Sequence, residues 1–487
     1  MPDPAQKKRT IQPPTGTRDF YPREMLVRRY ITDAWRRTAL RHGFDEIDGP
    51  TFESADLYKV KSGEGILNEM FGVFSGKSAE DIEAVKRGEP PFGLRPEFTP
   101  TLARMYAARA KQLPQPTKWF CVSNFFRAER PQRGRLREFW QWNADVVGGN
   151  EMESDGEVIH CIAGLVSDLG MAPETARIHL SDRRTLDGIL AFSGVPEACR
   201  DECIAFLDKR AELSSNEVAV RSGHMSFDTT RFDTAIRLAP KAYEKGTRTG
   251  TLRSTVTRGD DERTEAEVTL LMAQLITLRN HLEILDIHGW VTPDFSIVRG
   301  LAYYTGTVFE VIAEGERAVA GGGRYDNLIE LFGGPPTPAC GFGMGDAVLG
   351  NLLEDRKLIP EGREMLEALA RPMPYRPDVF VIASPNPGCE ELIVPTVARL
   401  RRGEESEQYK QGGCKPWSAE RYTVPPLHAR RSYKATKNVG KLLADAGACH
   451  ARFAAIIETP ETCTLKNLDT GEQTPDVPLG TLASGCR

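Results

Sequence analysis

Hydrophobic spacing at the start of the chain predicts a helix followed by an interrupted strand. Residues 24–41 carry apolar side chains at helical intervals, and Gly43 is placed to terminate that helix. In FDEIDGPTFES, Pro50 restricts the expected strand to a sheet edge, a bulge or an interface, because proline has no N–H to donate. A strand in FGLRPEFT leads to a helix in which Thr99 is the expected N-cap and Pro100 lies in the first turn.

Two neighbouring runs give the strongest strand signal. KWFCVSNFFRAE and EFWQWNADVVGG are apolar or alternating, and RPQRGRLR joins them. This arrangement predicts a long antiparallel hairpin with an arginine-rich loop. An amphipathic helix is expected over residues 154–170, and ARIHLSD reads as a short strand after it.

The second half of the chain divides into a helical insertion, further strands and a separate domain. Residues 185–285 are helix-rich and polar, which favours an inserted helical subdomain. Strands resume in FSIVRGLAYYTGTVFEVI, and GFGMGDAVLGNLLED predicts a strand that runs directly into a helix. Three prolines near residue 375 form a linker, and alternating strands and helices then predict an α/β domain over residues 377–487. Within this domain, CEELIVPTVARLRRG is expected to be a helix with Pro395 in its middle. Residues 403–433 fit the alternation poorly, although a second strand is expected there.

Composition and charge exclude several classes of protein. The 487 residues are 40% hydrophobic and 27% charged, which is typical of a folded protein of more than one domain. The net charge of -5 places any nucleic-acid binding in local basic patches. No apolar stretch is long enough for export or membrane insertion, and the ten scattered cysteines include no C-x-x-C pair, so we expect a cytoplasmic protein with reduced thiols.

Five arginines within eleven residues are the clearest candidate for chemistry. They are Arg127, Arg130, Arg133, Arg135 and Arg137. A guanidinium group can donate two parallel hydrogen bonds to the oxygens of one phosphate, and the flanking aromatic residues could stack on bases. On composition alone, a polyphosphate or nucleic-acid site and a solvated charged turn fit this cluster equally well.

Other candidate residues are ambiguous when taken singly. Arg299 follows an apolar strand, and Tyr304 would lie on the opposite face of that strand unless Gly300 forms a bulge. Glu97 at a strand end could receive an amine or an imidazole N–H, or could lie in a surface turn. GGGRYD lacks the residues of a phosphate loop or a dinucleotide fingerprint.

In order along the chain, these segments resemble class II aminoacyl-tRNA synthetases, and among them the histidyl-tRNA synthetase family. Pro50 falls where motif 1 carries its interface proline, and FRAERPQRGRLREFWQWNADVVG matches motif 2. RGLAYYTGTVFE resembles the segment peculiar to the histidine enzymes, and GGGRYDNLIELFGG is similar to the run before motif 3. The resemblance covers residues 13 to about 190 and 285–353, and more loosely 377–480.

The resemblance implies a fold and a reaction. The fold is α+β: a class II antiparallel-sheet catalytic domain over residues 1–370 with the helical insertion, a C-terminal α/β anticodon-binding domain over residues 377–487, and a homodimer. The reaction joins L-histidine to ATP as histidyl-adenylate and transfers the histidyl group to tRNA(His), with Mg²⁺ accompanying ATP. The basic stretch 430–441 would bind tRNA phosphate.

Motif positions then imply roles for individual residues. Arg127 and Arg299 would be catalytic, stabilising the α-phosphate from two sides. The remaining ATP contacts would come from Glu129, Arg135 and Phe139. The histidine site would be formed by Glu97, Thr99, Gln141, Asp145, Tyr303, Tyr304 and Tyr325. No residue is assigned to a metal.

Departures from the family pattern leave a rival function open. Val348 stands where motif 3 usually carries an arginine that clamps the γ-phosphate, and Ala302 stands where many members carry aspartate. A non-aminoacylating synthetase-like regulatory subunit of histidine biosynthesis that senses histidine would keep the fold. It would lack the C-terminal domain and would not need both Arg127 and Arg299, so the synthetase is favoured.

Overall fold

The computed structural model describes residues 11–62, 66, 69–75, 78–210, 213–245, 267–297, 304–314 and 318–486. Strands up to residue 345 are β1 (Asp45–Glu46), β2 (Phe52–Ser54), β3 (Gly72–Val73), β4 (Phe92–Leu94), β5 (Thr117–Phe126), β6 (Glu138–Val147), β7 (Ala176–Asp182), β8 (Val291–Pro293), β9 (Thr307–Ala313), β10 (Ala320–Arg324) and β11 (Ala339–Gly345). The helices up to residue 369 are α1 (Pro22–Arg41), α2 (Ala55–Ser62), α3 (Ala79–Arg87), α4 (Thr99–Arg109), α5 (Glu151–Asp168), α6 (Arg183–Phe192), α7 (Arg200–Lys209), α8 (Ser215–His224), α9 (Thr229–Lys245), α10 (Ala273–Ile284), α11 (Leu328–Leu331), α12 (Asp346–Asp355) and α13 (Gly362–Leu369).

A large sheet with strand order β1-β5-β6-β11-β10-β9-β7-β8 forms the centre of this part of the chain. Its six central strands are antiparallel, and the short edge strands β1 and β8 run parallel to their neighbours. β1 ends at Glu46, and Pro50 lies in the connection to a separate small sheet of order β2-β4-β3, so the interrupted strand expected here is two short strands of different sheets. Helices α6 to α10 lie between β7 and β8 along the chain.

The two faces of β6 have different environments. Trp142, Ala144 and Val146 are buried in the main core together with residues of α1 and α5. The rings of Trp142 and Trp35 stack with centroids 6.4 Å apart. Because side chains alternate along a strand, the residues between them face the opposite side of the sheet, where the helices leave room for a cavity.

A second sheet follows the proline linker. Its elements are β12 (Val379–Ala383), α14 (Ile393–Arg402), β13 (Glu404–Glu405), α15 (Glu407–Lys410), β14 (Tyr422–Val424), β15 (Ala429–Arg431), α16 (Val439–Ala448), β16 (Phe453–Ile457), β17 (Thr462–Asn467), β18 (Gln473–Pro478) and α17 (Leu482–Gly485). The strand order is β15-β12-β16-β17-β18, with β12 parallel to both neighbours. The α+β fold expected from the sequence is thus confirmed.

Local predictions were wrong at two helix starts. Helix α4 begins at Thr99 and Phe98 occupies the cap position without a side-chain hydrogen bond, so Thr99 is not the N-cap. In CEELIVPTVARLRRG, Pro395 lies in the first turn of α14 rather than in its middle, because the preceding residues 390–392 form a 3-10 turn. Proline is tolerated in a first turn, where its missing N–H has no partner in any case.

Residues 403–424 form a strap that packs against the first 370 residues. The strap contains β13, α15 and β14, and the strand expected in this region is β15, the edge of the C-terminal sheet. Two guanidinium nitrogens of Arg421 donate to the carbonyl oxygens of Ser167 and Asp168 at the end of α5, at 2.9 and 2.8 Å. The indole N–H of Trp417 donates to Glu364 on α13 at 2.8 Å.

The basic stretch 430–441 does not lie wholly on the surface. Arg430 pairs with Asp45 at 2.8 Å and Arg431 pairs with Glu153 at 2.7 Å, so both join the C-terminal domain to the rest of the chain. These two arginines are thus already paired within the chain, and binding of tRNA phosphate by the stretch 430–441 stays a prediction. Lys437 and Lys441 are exposed. Among the described residues, no helix is both long and apolar enough to cross a membrane.

Candidate active site

A cavity of about 970 Å³ lies on the open face of the large sheet. Strands β6, β11, β10 and β9 contribute to its walls, together with the loop between β5 and β6 and the start of α12. Ten side chains proposed from the sequence line it: Glu97, Thr99, Arg127, Glu129, Arg135, Phe139, Gln141, Asp145, Tyr304 and Tyr325. Arg299 and Tyr303 lie outside the described residues. Residues far apart in the sequence thus meet in one place.

Alternate residues of β6 form one wall of the cavity. Gln141, Asn143 and Asp145 share a face of the strand, as expected for positions two apart. Asn143 is 5% exposed and was missed by the sequence analysis, although its position between two proposed ligands on one strand face could have revealed it. Within the described residues, the side-chain oxygens of Gln141 and Asn143 are buried without a hydrogen-bond partner.

Two tyrosines surround the Asp145 carboxylate. The Tyr325 hydroxyl donates a hydrogen bond to Asp145 Oδ1, and both residues are almost fully buried. Burial raises the pKa of the Tyr304 hydroxyl, and the nearby Glu97 and Asp145 carboxylates raise it further. Tyr304 therefore stays protonated and can donate a hydrogen bond. A carboxylate beside two phenols offers both an acceptor and donors, which is what an imidazole ring requires.

Arg127 lies at the opposite side of this cavity, directly after β5. Its Nε donates to the carbonyl oxygen of Pro96 at 3.2 Å, and its guanidinium lies over the Phe139 ring at 5.1 Å from the centroid. This stacking and hydrogen bond fix the position of the cation. An aromatic face beside a positioned arginine suits a nucleobase with an attached phosphate.

The arginine-rich loop ends in a tight turn. The backbone N–H groups of Gln132 and Arg135 donate to each other's carbonyl oxygens at 3.0 and 2.8 Å. Gly134 has φ +75°, a conformation that favours glycine at this position of the turn. Arg135 pairs with Glu129 at 3.1 Å, so the carboxylate expected to accept from adenine contacts a cation of the same loop.

Helix α12 supports this turn. A Cβ placed on Gly134 would lie 3.0 Å from Val348 Cγ2, which puts Val348 directly beneath the turn. Arg133 pairs with Asp355 at the end of the same helix at 2.5 Å. Val348 thus takes part in packing the loop, at the position where the family usually carries a phosphate-binding arginine.

The start of α12 is itself held by a buried carboxylate. Asp346 accepts from the Trp140 backbone N–H at 2.9 Å and pairs with Arg18 at 2.6 Å. Burial raises the pKa of Asp346, and the Arg18 guanidinium opposes that shift. Arg18 belongs to residues 14–22 (PTGTRDFYP), which therefore contribute to the site through α12 and β6.

Comparisons with known proteins agree on one family. A family model described as Histidyl-tRNA synthetase matches residues 16–346. The histidine–tRNA ligase of Haloarcula marismortui is 38% identical over 344 residues, which cover 69% of this chain and 72% of the relative. The chain belongs to the histidyl-tRNA synthetase family.

Solved structures share the fold of this histidyl-tRNA synthetase family member. The histidyl-tRNA synthetase from Nostoc sp. PCC 7120 is 21% identical, with a TM-score of 0.56 over 98% of this chain and 99% of that structure. A protein from Bacillus halodurans described as an ATP phosphoribosyltransferase regulatory subunit/histidyl-tRNA synthetase is 20% identical, with a TM-score of 0.54 over 94% of this chain and 100% of that structure. At these identities the likeness concerns the fold alone.

Proposed function

We propose that this chain is a histidine–tRNA ligase. The observation that carries the proposal is the single cavity that holds Asp145, Tyr304 and Tyr325 at one part of its wall and Arg127 with Phe139 at another. The first group fits an imidazole and the second fits an adenine nucleotide. The family membership points to the same pair of substrates.

The reaction brings two anions together. A histidine carboxylate oxygen attacks the α-phosphorus of ATP, the new O–P bond forms, and the bond to the β-phosphate breaks to release diphosphate. A ribose hydroxyl of tRNA(His) then attacks the histidyl carbonyl, and AMP leaves. Arg127 would neutralise the carboxylate and the α-phosphate during the first step, with Arg299 acting from the other side.

The histidine would be held by groups of complementary charge. Glu97, Thr99 and Gln141 line the cavity near the expected ammonium group, and Asp145 would accept an imidazole N–H while Tyr304 donates to the other nitrogen. Glu129, Arg135 and Phe139 would contact ATP. A wrong amino acid would leave these buried polar groups unpaired, which supports strong discrimination.

Mg²⁺ would accompany ATP rather than occupy a site built by the protein alone. Within the part of the chain that the structure describes, no group of three or more His, Cys, Asp or Glu side chains could hold a metal ion. The Glu310 carboxylate lines the cavity, while Glu129 is already paired with Arg135. Such a donor set fits a metal that takes most of its remaining ligands from phosphates and water, and Mg²⁺ would neutralise phosphate charge there.

The other parts of the proposal concern assembly and location. We assign residues 377–487 to the anticodon-binding domain and propose a homodimer acting in the cytoplasm. The small sheet exposes Phe52 and Phe92, whose rings contact each other edge to face, and Val60 and Ile82 nearby in the sequence are also exposed. An apolar surface of this kind suits a subunit interface. Analytical ultracentrifugation of Phe52→Glu, expected to be monomeric, tests this assignment.

Histidine-dependent ATP–pyrophosphate exchange tests the enzymatic proposal. Exchange with histidine alone among the amino acids, followed by charging of tRNA(His), is the expected result. Histidine binding without exchange would instead support the sensory regulatory subunit.

A further inference from the structure

Three glycines of β11 face the cavity. Gly341, Gly343 and Gly345 occupy alternate positions of the strand and all line the cavity wall. Their backbone is extended and pairs with β6 throughout. An alanine can adopt the same backbone conformation, so a need for conformational freedom does not explain the glycines.

The side chains of β6 lie across two of these glycines. A Cβ on Gly341 would come within 1.9 Å of Asp145 Oδ1 and 2.5 Å of its Cγ. A Cβ on Gly343 would come within 1.9 Å of Gln141 Nε2. On Gly345, nothing lies within 4 Å of the added carbon. One strand therefore carries two positions where a methyl group would displace a proposed ligand of histidine, and one where it would not.

The atoms that a methyl group would displace are the ends of side chains. At Gly343 all the close atoms belong to the Gln141 and Asn143 side chains, so the strand itself need not move. At Gly341 the Ala144 carbonyl oxygen is 3.0 Å away, which requires a small backbone adjustment as well. We therefore expect alanine at these positions to weaken histidine binding more than it destabilises the fold.

The two displaced groups differ in how firmly they are held. Asp145 accepts a hydrogen bond from Tyr325, so a methyl group at Gly341 must separate that pair or shift both residues. The Gln141 side-chain oxygen has no hydrogen-bond partner among the described residues, so its amide can turn aside more easily. The Gly341 substitution should consequently be the more severe.

We propose that Gly341 and Gly343 are specificity-determining positions of the amino-acid site. Because neither position has a side chain, the Asp145 carboxylate and the Gln141 amide can lie directly against the backbone of β11. From there they can reach the imidazole and the ammonium group of histidine. The glycines are positioning residues, since they act through Asp145 and Gln141. This proposal rests on the histidine site proposed above.

Three alanine variants of the full-length protein test the proposal. We expect Gly341→Ala to raise the KM for histidine by about tenfold or more in pyrophosphate exchange, because displacements near 1 Å have effects of this size. Gly343→Ala should raise it severalfold. Gly447→Ala, at an exposed position of α16 outside the cavity, is the control and should leave the KM for histidine within about twofold of wild type, as its methyl group meets open space. The KM for ATP should change little in all three.

Double variants separate positioning from a general structural role. Gly343→Ala should cause no further loss in a Gln141→Ala background, and Gly341→Ala none in an Asp145→Ala background. Additive losses, or an equal loss in Gly447→Ala, would overturn the proposal. Thermal midpoints of all variants measure any effect on folding separately.

Calorimetric titration measures histidine binding without requiring catalysis. It therefore tests the role of the two glycines separately from the enzymatic function. A wild type that binds histidine without exchange would contradict the ligase proposal, while weakened histidine binding in Gly341→Ala and Gly343→Ala would still support the role of the glycines. Unchanged binding in both variants would overturn that role alone.

Discussion

At the scale of single residues, Asp145 is the most constrained group of the candidate site. Its carboxylate is 2% exposed, accepts from Tyr325 and lies against the backbone of Gly341. A buried carboxylate is stable only where its oxygens are satisfied, and one oxygen is already occupied by a phenol. The Tyr325 phenol thereby fixes the orientation of the carboxylate group.

Removing the Tyr325 hydroxyl should weaken the positioning of the Asp145 carboxylate. We expect Tyr325→Phe to raise the KM for histidine by about tenfold, since a hydrogen bond to a charged group contributes about 1.5 to 3 kcal/mol. The KM for ATP should stay near that of wild type. Steady-state pyrophosphate exchange measures both constants, and Tyr375→Phe, at a tyrosine that is 66% exposed, is the control. Equal changes in both constants would argue against a role in histidine binding.

At the scale of elements, the arginine loop between β5 and β6 is supported on two sides. Gly16 accepts from the Arg137 backbone N–H at 2.8 Å, and Val348 and Asp355 of α12 contact the turn from the other side. Four of the five arginines have a hydrogen bond or ion pair within the chain, which reduces their mutual repulsion. The loop is therefore held in one arrangement by contacts within the chain.

The ion pair between Arg133 and Asp355 offers a test of this support. Asp355→Arg should raise the KM for ATP by about two- to fivefold, because exposed ion pairs contribute up to about 1 kcal/mol. Adding Arg133→Asp should restore the original value. Pyrophosphate exchange at low salt measures the effect, and Glu354→Arg on the same helix is the control. A double variant no better than Asp355→Arg would show that the pair does not position the loop.

Local sequence patterns predicted the elements whose structure depends on residues close together in the sequence. They missed the elements whose position depends on contacts with distant residues. Alternation revealed the β5 and β6 hairpin, and glycine spacing revealed the junction of β11 and α12. The strap 403–424 could not be predicted, because its contacts with α5 and α13 lie far away in the sequence. The ion pairs of Arg430 and Arg431 could not be predicted for the same reason, since a basic run has the same sequence pattern whether its partners are acidic side chains or phosphates.

At the scale of the whole molecule, buried charges join the two large sheets. Glu157 on α5 accepts from Lys118 at 2.8 Å and from Arg401 at 2.9 Å. These two cations outweigh the effect of burial and hold the pKa of Glu157 well below its usual range. His42 and His160 lie beside this cluster, with ring centroids 4.5 Å apart. Removing the C-terminal domain would take Arg401 from a buried carboxylate, so a truncation near residue 372 should destabilise the remaining part.

The buried histidines predict a loss of stability in acid. Burial, reinforced by the Arg401 charge, lowers the pKa of His160 from 6.5 to about 3. Between these values the unfolded chain binds a proton that the folded chain excludes, so the free energy of unfolding should fall by up to about 1.4 kcal/mol for each pH unit below 6.5. Thermal midpoints at pH 7.5, 6.5 and 5.5 measure this slope.

A substitution distinguishes His160 from other groups that titrate. His160→Gln should give a shallower decline between pH 6.5 and 5.5 than wild type, whereas His224→Gln, at an exposed residue of α8, should leave the slope unchanged. Identical slopes in wild type and His160→Gln would show that this ring does not take part in acid unfolding.

The charged contacts between the two sheets also affect the order of events during synthesis. Glu157 leaves the ribosome 244 residues before Arg401, its partner in the C-terminal domain. At ordinary translation rates this interval lasts about 10 to 50 seconds, during which α5 cannot complete its final packing. We expect the nascent chain to keep this side of the first domain hydrated and accessible to chaperones until the C-terminal sheet has emerged.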